Sequence, residues 1–181
     1  MAHPRLRSVR PYREGFRVNV YPWLMFLHVG GLLTFVMGHG ASAMVAFRLR
    51  NEREPARIGA LLDLSSASIG VAYLGLLLLL ASGIAAGFNG GLWDRWWIWI
   101  SLGLLVVILG AMYPMGSGYY AKVRHAVGMR AYSDPKDAPA PEPATPAELE
   151  ALLVSPRPWV LLAMGGGGVL VILWLMLMQP F

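Results

Sequence analysis

"SIGVAYLGLLLLLASGIAAGF", Ser68 to Phe88, contains no Asp, Glu, Lys or Arg, and its polar residues do not alternate with apolar ones. A strand of a membrane barrel would alternate over about 10 residues. A helix needs roughly 20 consecutive apolar residues to cross about 30 Å of hydrocarbon, and this run reaches that length. It is therefore read as a transmembrane helix. Three further stretches of similar length and character lie at roughly Tyr21 to Phe47, Trp96 to Tyr120 and Pro158 to Met178. The predicted fold is all-α, a four-transmembrane-helix bundle.

Composition agrees with that reading. The 181 residues are 56% hydrophobic and only 14% charged, with a mean hydropathy of +0.53. A soluble domain of this size carries about 25% charged residues. Cysteine is absent, which excludes disulfides, thiolate metal sites and iron–sulfur clusters. The net charge of +5 is accounted for by arginines and lysines flanking the spans, so no nucleic-acid partner is implied; the bilayer is the expected contact.

The chain divides into an Arg-rich tail over 1–20, three spans over 21–129, a linker over 130–157 and the last span over 158–181. The tail, the apolar run after it and Ala41-Ser42-Ala43 resemble a signal peptide with its cleavage site. The run is too long for that, and apolar character continues through Phe47, so the segment is read as a retained first helix. Lys and Arg are more numerous on the side opposite the N-terminus, nine against six. That side, called side B, is predicted to face the cytoplasm, with both termini outside. The linker "SDPKDAPAPEPATPAELEALLVSPRP" begins rich in proline and charge, as an extended segment does. Thr145 followed by Pro146 and Glu148 predicts a short surface helix to about Val154, with Leu149, Leu152 and Leu153 on one side.

The first span holds two histidines. His28 and His39 are eleven residues apart, three turns plus about 20°, so both leave the same side of the helix about 16 Å apart. Gly31, Phe35, Gly38, Ser42 and Ala46 share that stripe. Small residues mark the face that meets other helices, which places both histidines inward. Gly83 and Gly87 form a GxxxG in the second span, Pro114 interrupts the third, and Gly165 to Gly168 form a tetraglycine in the fourth. Gly31, Gly38, Gly83, Gly87, Gly165 and Gly168 are the predicted packing positions.

An inward intramembrane histidine is either a structural hydrogen-bonding group or a ligand. As ligands, His28 and His39 suit haem b or copper. His39 lies at about the depth of Met112 or Tyr113, whereas His125 lies beyond Lys122, too far to share a haem with it. His3 is in the polar tail. A haem would then take His/Met ligation through Met112, Met115 or Met164, or stay five-coordinate; copper would draw on the same sulfurs.

The first helix, "WLMFLHVGGLLTFVMGHGASAMVAFRLRNE", with its histidine, glycine pair and Arg-rich exit, resembles the start of bacterial four-helix membrane proteins of unknown function related to copper-resistance-D-like proteins. Its H-x-x-G beginning is similar to that of the haem-dependent membrane protoporphyrinogen oxidase. The resemblance implies a four-helix bundle in the bacterial cytoplasmic membrane with His28 as the matching ligand position. Two functions follow from the sequence: a non-catalytic component of a membrane complex, with a membrane-protein partner or a second copy of itself, or a haem- or copper-handling protein with redox activity.

Overall fold

A computed structural model of the protein describes residues 19–137 and 139–181; residues 1–18 of the Arg-rich tail, His3 among them, lie outside these. Five helices follow one another: α1 (Tyr21–Leu49), α2 (Pro55–Gly90), α3 (Trp96–Ala126), α4 (Pro146–Leu153) and α5 (Arg157–Met178). No strand occurs among the described residues. Four helical stretches are long and apolar enough to cross a membrane. The chain is a small integral membrane protein built as an all-α bundle.

Local chemistry sets the helix ends. Pro22, Pro55, Pro146 and Pro158 occupy first-turn positions, where a missing N–H costs nothing. Gly91 ends α2 with a φ of 62°, a left-handed conformation that glycine adopts without penalty. Thr145 caps α4 through a capping box with Glu148.

Two spans extend well past their predicted limits. α2 starts at Pro55 rather than near Ser68, and α3 continues to Ala126 rather than stopping at Tyr120. The added turns carry Arg57, Asp63, Lys122 and Arg124, at which an apolar run stops. The helices do not stop there, because Ile58, Leu62 and Val123 bury one face of those turns.

They bury it in a compact cluster at side B. Val45 and Leu49 of α1, Ile58 and Leu62 of α2, and Tyr119 and Val123 of α3 meet Leu149 and Leu153 of α4. The short helix is thus a plug on the bundle end, with Leu149 and Leu153 one turn apart on its inner face. Arg53 pairs with Glu150 at 3.2 Å, and the Arg50 guanidinium donates to the Ser155 carbonyl, which ties the α1–α2 turn to this plug.

Above the plug the bundle separates into two hairpins. α1 packs along α2, and α3 along α5, while α2 and α3 touch only sparsely. The α1–α2 seam is built on backbone approach. A Cβ on Gly31 would come 2.5 Å from the Leu79 nitrogen, one on Gly38 would come 2.5 Å from the Ser68 carbonyl oxygen, and one on Gly75 would overlap the backbone of Phe35. The GxxxG pair accepts side chains instead: Gly83 receives the His28 ring and Gly87 the Trp93 indole. In the tetraglycine, Gly165 and Gly168 receive Met112 and Ile108 of α3, while a Cβ on Gly167 would meet nothing within 4 Å.

Candidate functional site: a cavity between the hairpins

The divergence of the hairpins leaves a cavity of about 940 Å³ walled by all four long helices. That volume is at the upper end of the range typical of ligand pockets. Its walls are mostly apolar, with a few polar groups: His39 and Ser42 from α1, Asp63, Ser65 and Ser66 from α2, and Ser117 and Tyr120 from α3. Tyr73 of α2 and Tyr113 of α3 line it and are also exposed, so it opens sideways towards lipid between these helices.

Of the polar groups that α1 gives the cavity, His39 lies farther from side B than Ser42. Its ring stacks on Phe35, one turn away, with centroids 5.6 Å apart and planes 14° from parallel. Its Nε2 lies 3.1 Å from the position a Cβ on Gly165 would take, and the Met112 sulfur lies 3.1 Å from that same point. Gly165 therefore leaves room for an imidazole and a thioether side by side. The His39 ring makes no hydrogen bond among the described residues, in contrast to His28 and His125.

His28 sits elsewhere. Its Nδ1 donates to the Leu79 carbonyl across the α1–α2 seam at 2.9 Å, and the residue does not line the cavity. A proton on Nδ1 leaves Nε2 with its lone pair. His125 Nε2 lies 2.9 Å from the Asp134 carboxylate in the loop after α3. That hydrogen bond, followed by one from the Ala131 N–H, holds the Asp134 carboxyl below the usual carboxylate range. Met115 and Met164 do not line the cavity, so Met112 is the methionine that His39 meets there.

Behind the side-B end of the cavity, against its lining residues Asp63, Ser66 and Tyr132, lies a group that sequence reasoning passed over. Arg124 is buried, and its Nη2 lies 2.6 Å from Asp63 Oδ1 and 3.4 Å from Ser66 Oγ. The guanidinium carbon sits 4.7 Å from the centre of the Tyr132 ring, a cation–π geometry. This ion pair joins α2 to α3 where their packing is otherwise thin. Beside it, Ser42 and Ser65 are linked by a 2.7 Å hydrogen bond, and the Tyr120 hydroxyl donates to the Ser42 carbonyl at 2.9 Å. The signal for Asp63 and Arg124 was their charge at the margins of apolar spans, where such residues pair or face a cavity.

No family model, curated protein or solved structure matches the chain. Among the described residues, no group of three or more His, Cys, Asp or Glu is placed to hold a metal ion. A metal here would depend on the His39 and Met112 pair.

Proposed function

We propose that this membrane protein is a non-catalytic component that holds a lipophilic molecule between its two hairpins. The observation that carries the reading is the 940 Å³ cavity, walled by all four spans and open sideways to the bilayer. Its serines and Tyr120 are engaged with one another or with backbone carbonyls, and its Asp63 with Arg124 behind the wall, an arrangement suited to shaping a pocket rather than to proton transfer. We place the protein in the bacterial cytoplasmic membrane with side B inward, on the excess of Lys and Arg there. The test is native mass spectrometry of protein extracted from its own membranes. A bound mass that survives gentle detergent exchange and disappears in Ala43→Trp is expected. Bare protein throughout would overturn the reading.

A second reading rests on the meeting of His39 Nε2 and the Met112 sulfur at Gly165. One imidazole and one thioether are donors of the kind that haem b or Cu(I) takes. The donors fit, and the cavity has room for a flat group; His39 and Met112 would hold it. A bound haem would supply one-electron chemistry. His28, the position singled out by the resemblance to the haem-dependent oxidase, is the rival ligand through its free Nε2. Visible spectra and metal analysis of protein made in cells supplied with haem and copper test this. Loss of signal in His39→Ala and Met112→Ala, with His28→Ala unaffected, is expected on the cavity site. Wild-type protein free of both would end this reading while leaving the lipophile reading standing.

A further inference from the structure

The polarity of the cavity changes along its length. On α5 its wall runs from Pro158 to Ile172, about 20 Å at 1.5 Å per residue. Level with Pro158, at side B, are Asp63, Ser66, Ser117 and Tyr120. Level with Ile172 are only apolar side chains, among them Leu76, Leu105 and Val169. A chamber that is long, richest in polar groups at one end, with His39 midway, and apolar at the other matches an amphiphile aligned with the helices.

The charge at the polar end narrows the head group. Arg124 is buried and already paired with Asp63, so the end carries one cation and one anion with no net charge. A charged head placed there would lose hydration without gaining an unengaged counter-charge. A neutral head loses little. Ser66, Ser117 and Tyr120 already donate their O–H groups to the Leu62, Tyr113 and Ser42 carbonyls, so their oxygens, with the outer oxygen of Asp63, offer acceptors to the O–H of a neutral head.

We propose that the occupant is a long-chain amphiphile with an uncharged, hydroxyl-bearing head, seated with the head beside Asp63, Ser66 and Tyr120 and the chain running towards Ile172. This rests on the reading that the cavity holds a lipophilic molecule. It adds the class of head group and the direction of the chain. Access is lateral, between Tyr73 and Tyr113, so the molecule comes from the bilayer.

Three photoactivatable probes test it on the full chain in lipid nanodiscs: hexadecanol, hexadecanoate and hexadecyltrimethylammonium, each with a diazirine at the chain end. The alcohol is expected to label Ile108, Val169 or Ile172 saturably, at about tenfold lower concentration than either charged probe. Val169→Trp should abolish that labelling, and Val160→Trp, on an exposed face of α5, should leave it unchanged. A charged probe that labels as well as the alcohol would overturn the head-group assignment. Labelling by the alcohol at Ser66 or Ser117 would overturn the direction. Both results keep the cavity as a lipophile site. Absence of saturable labelling by any of the three would remove the cavity reading together with this one.

Discussion

His28 lies against Gly83: a Cβ at position 83 would come 2.7 Å from the imidazole Cε1, while the ring's Nδ1 donates to the Leu79 carbonyl one turn earlier on α2. The small residue makes the hydrogen bond possible by letting the ring reach the neighbouring backbone. His28→Ala should therefore lower stability by about 1–2 kcal/mol, the range for an interhelical hydrogen bond in a membrane. Gly83→Leu should cost more, because it both removes the space and displaces the ring. Reversible unfolding in mixed micelles measures both. Equal stability of His28→Ala and wild type would show that the bond contributes nothing.

The Arg124–Asp63 pair should respond unequally to loss of either member. Asp63 is well exposed, with a side-chain accessibility of 61% against 8% for Arg124. Removing the arginine strands a carboxylate that can rehydrate; removing the aspartate strands a buried cation. Asp63→Ala is expected to cost about 1–3 kcal/mol, below the ~3–5 kcal/mol of a fully buried pair, and Arg124→Met less. The double variant should be more stable than Asp63→Ala alone. The reverse order in the same unfolding assay would place the penalty on the carboxylate.

Apolar runs long enough to span a bilayer made the four crossings legible, because in lipid the backbone must be satisfied within a helix. Thr145, Pro146 and Glu148 marked the start of α4 for an equally local reason, the capping of free N–H groups. The first turns of α2 were not legible. Arg57 and Asp63 break the apolar run, and the burial of Ile58 and Leu62 between them depends on α4, far away in sequence. Gly75 was hidden too, since one glycine within a run of leucines reads as lipid-facing until its partner at Phe35 is known. The small-residue stripe on α1 pointed His39 inward. It could not distinguish a cavity from a helix contact, because that depends on which hairpins pair.

The loop after α3 should be sensitive to acid. Asp134 accepts from His125 and from the Ala131 N–H at 2.7 Å, and both favour its charged form, so its folded pKa is depressed. A depressed carboxyl contributes its stability fully above the unfolded value, about 3.9, and loses it as pH falls through the folded value. The Ala131 amide proton should accordingly shift in an NMR titration with a midpoint below about 3.9. Asp134→Asn should abolish the step. A wild-type midpoint above the ordinary aspartate value would contradict the geometry.

The glycines offer a final contrast, between short distances that cannot relax and those that can. A Cβ on Gly75 would overlap the Phe35 nitrogen and come 2.8 Å from the Phe35 Cα, both backbone atoms of a packed helix. A Cβ on Gly168 would overlap the Cδ1 of Ile108, the far end of a side chain that can turn away. Gly75→Ala must push α1 and α2 apart along their seam, which also loosens Gly31 and Gly38 against their partners. Overpacking of this kind costs about 1–3 kcal/mol. Gly168→Ala needs only a new rotamer of Ile108, at about 0.5–1.5 kcal/mol, and part of that is offset by the better helix propensity of alanine. Gly75→Ala should therefore be the more damaging in micellar unfolding. Comparable losses would mean that Ile108 is as tightly held as the backbone of α1.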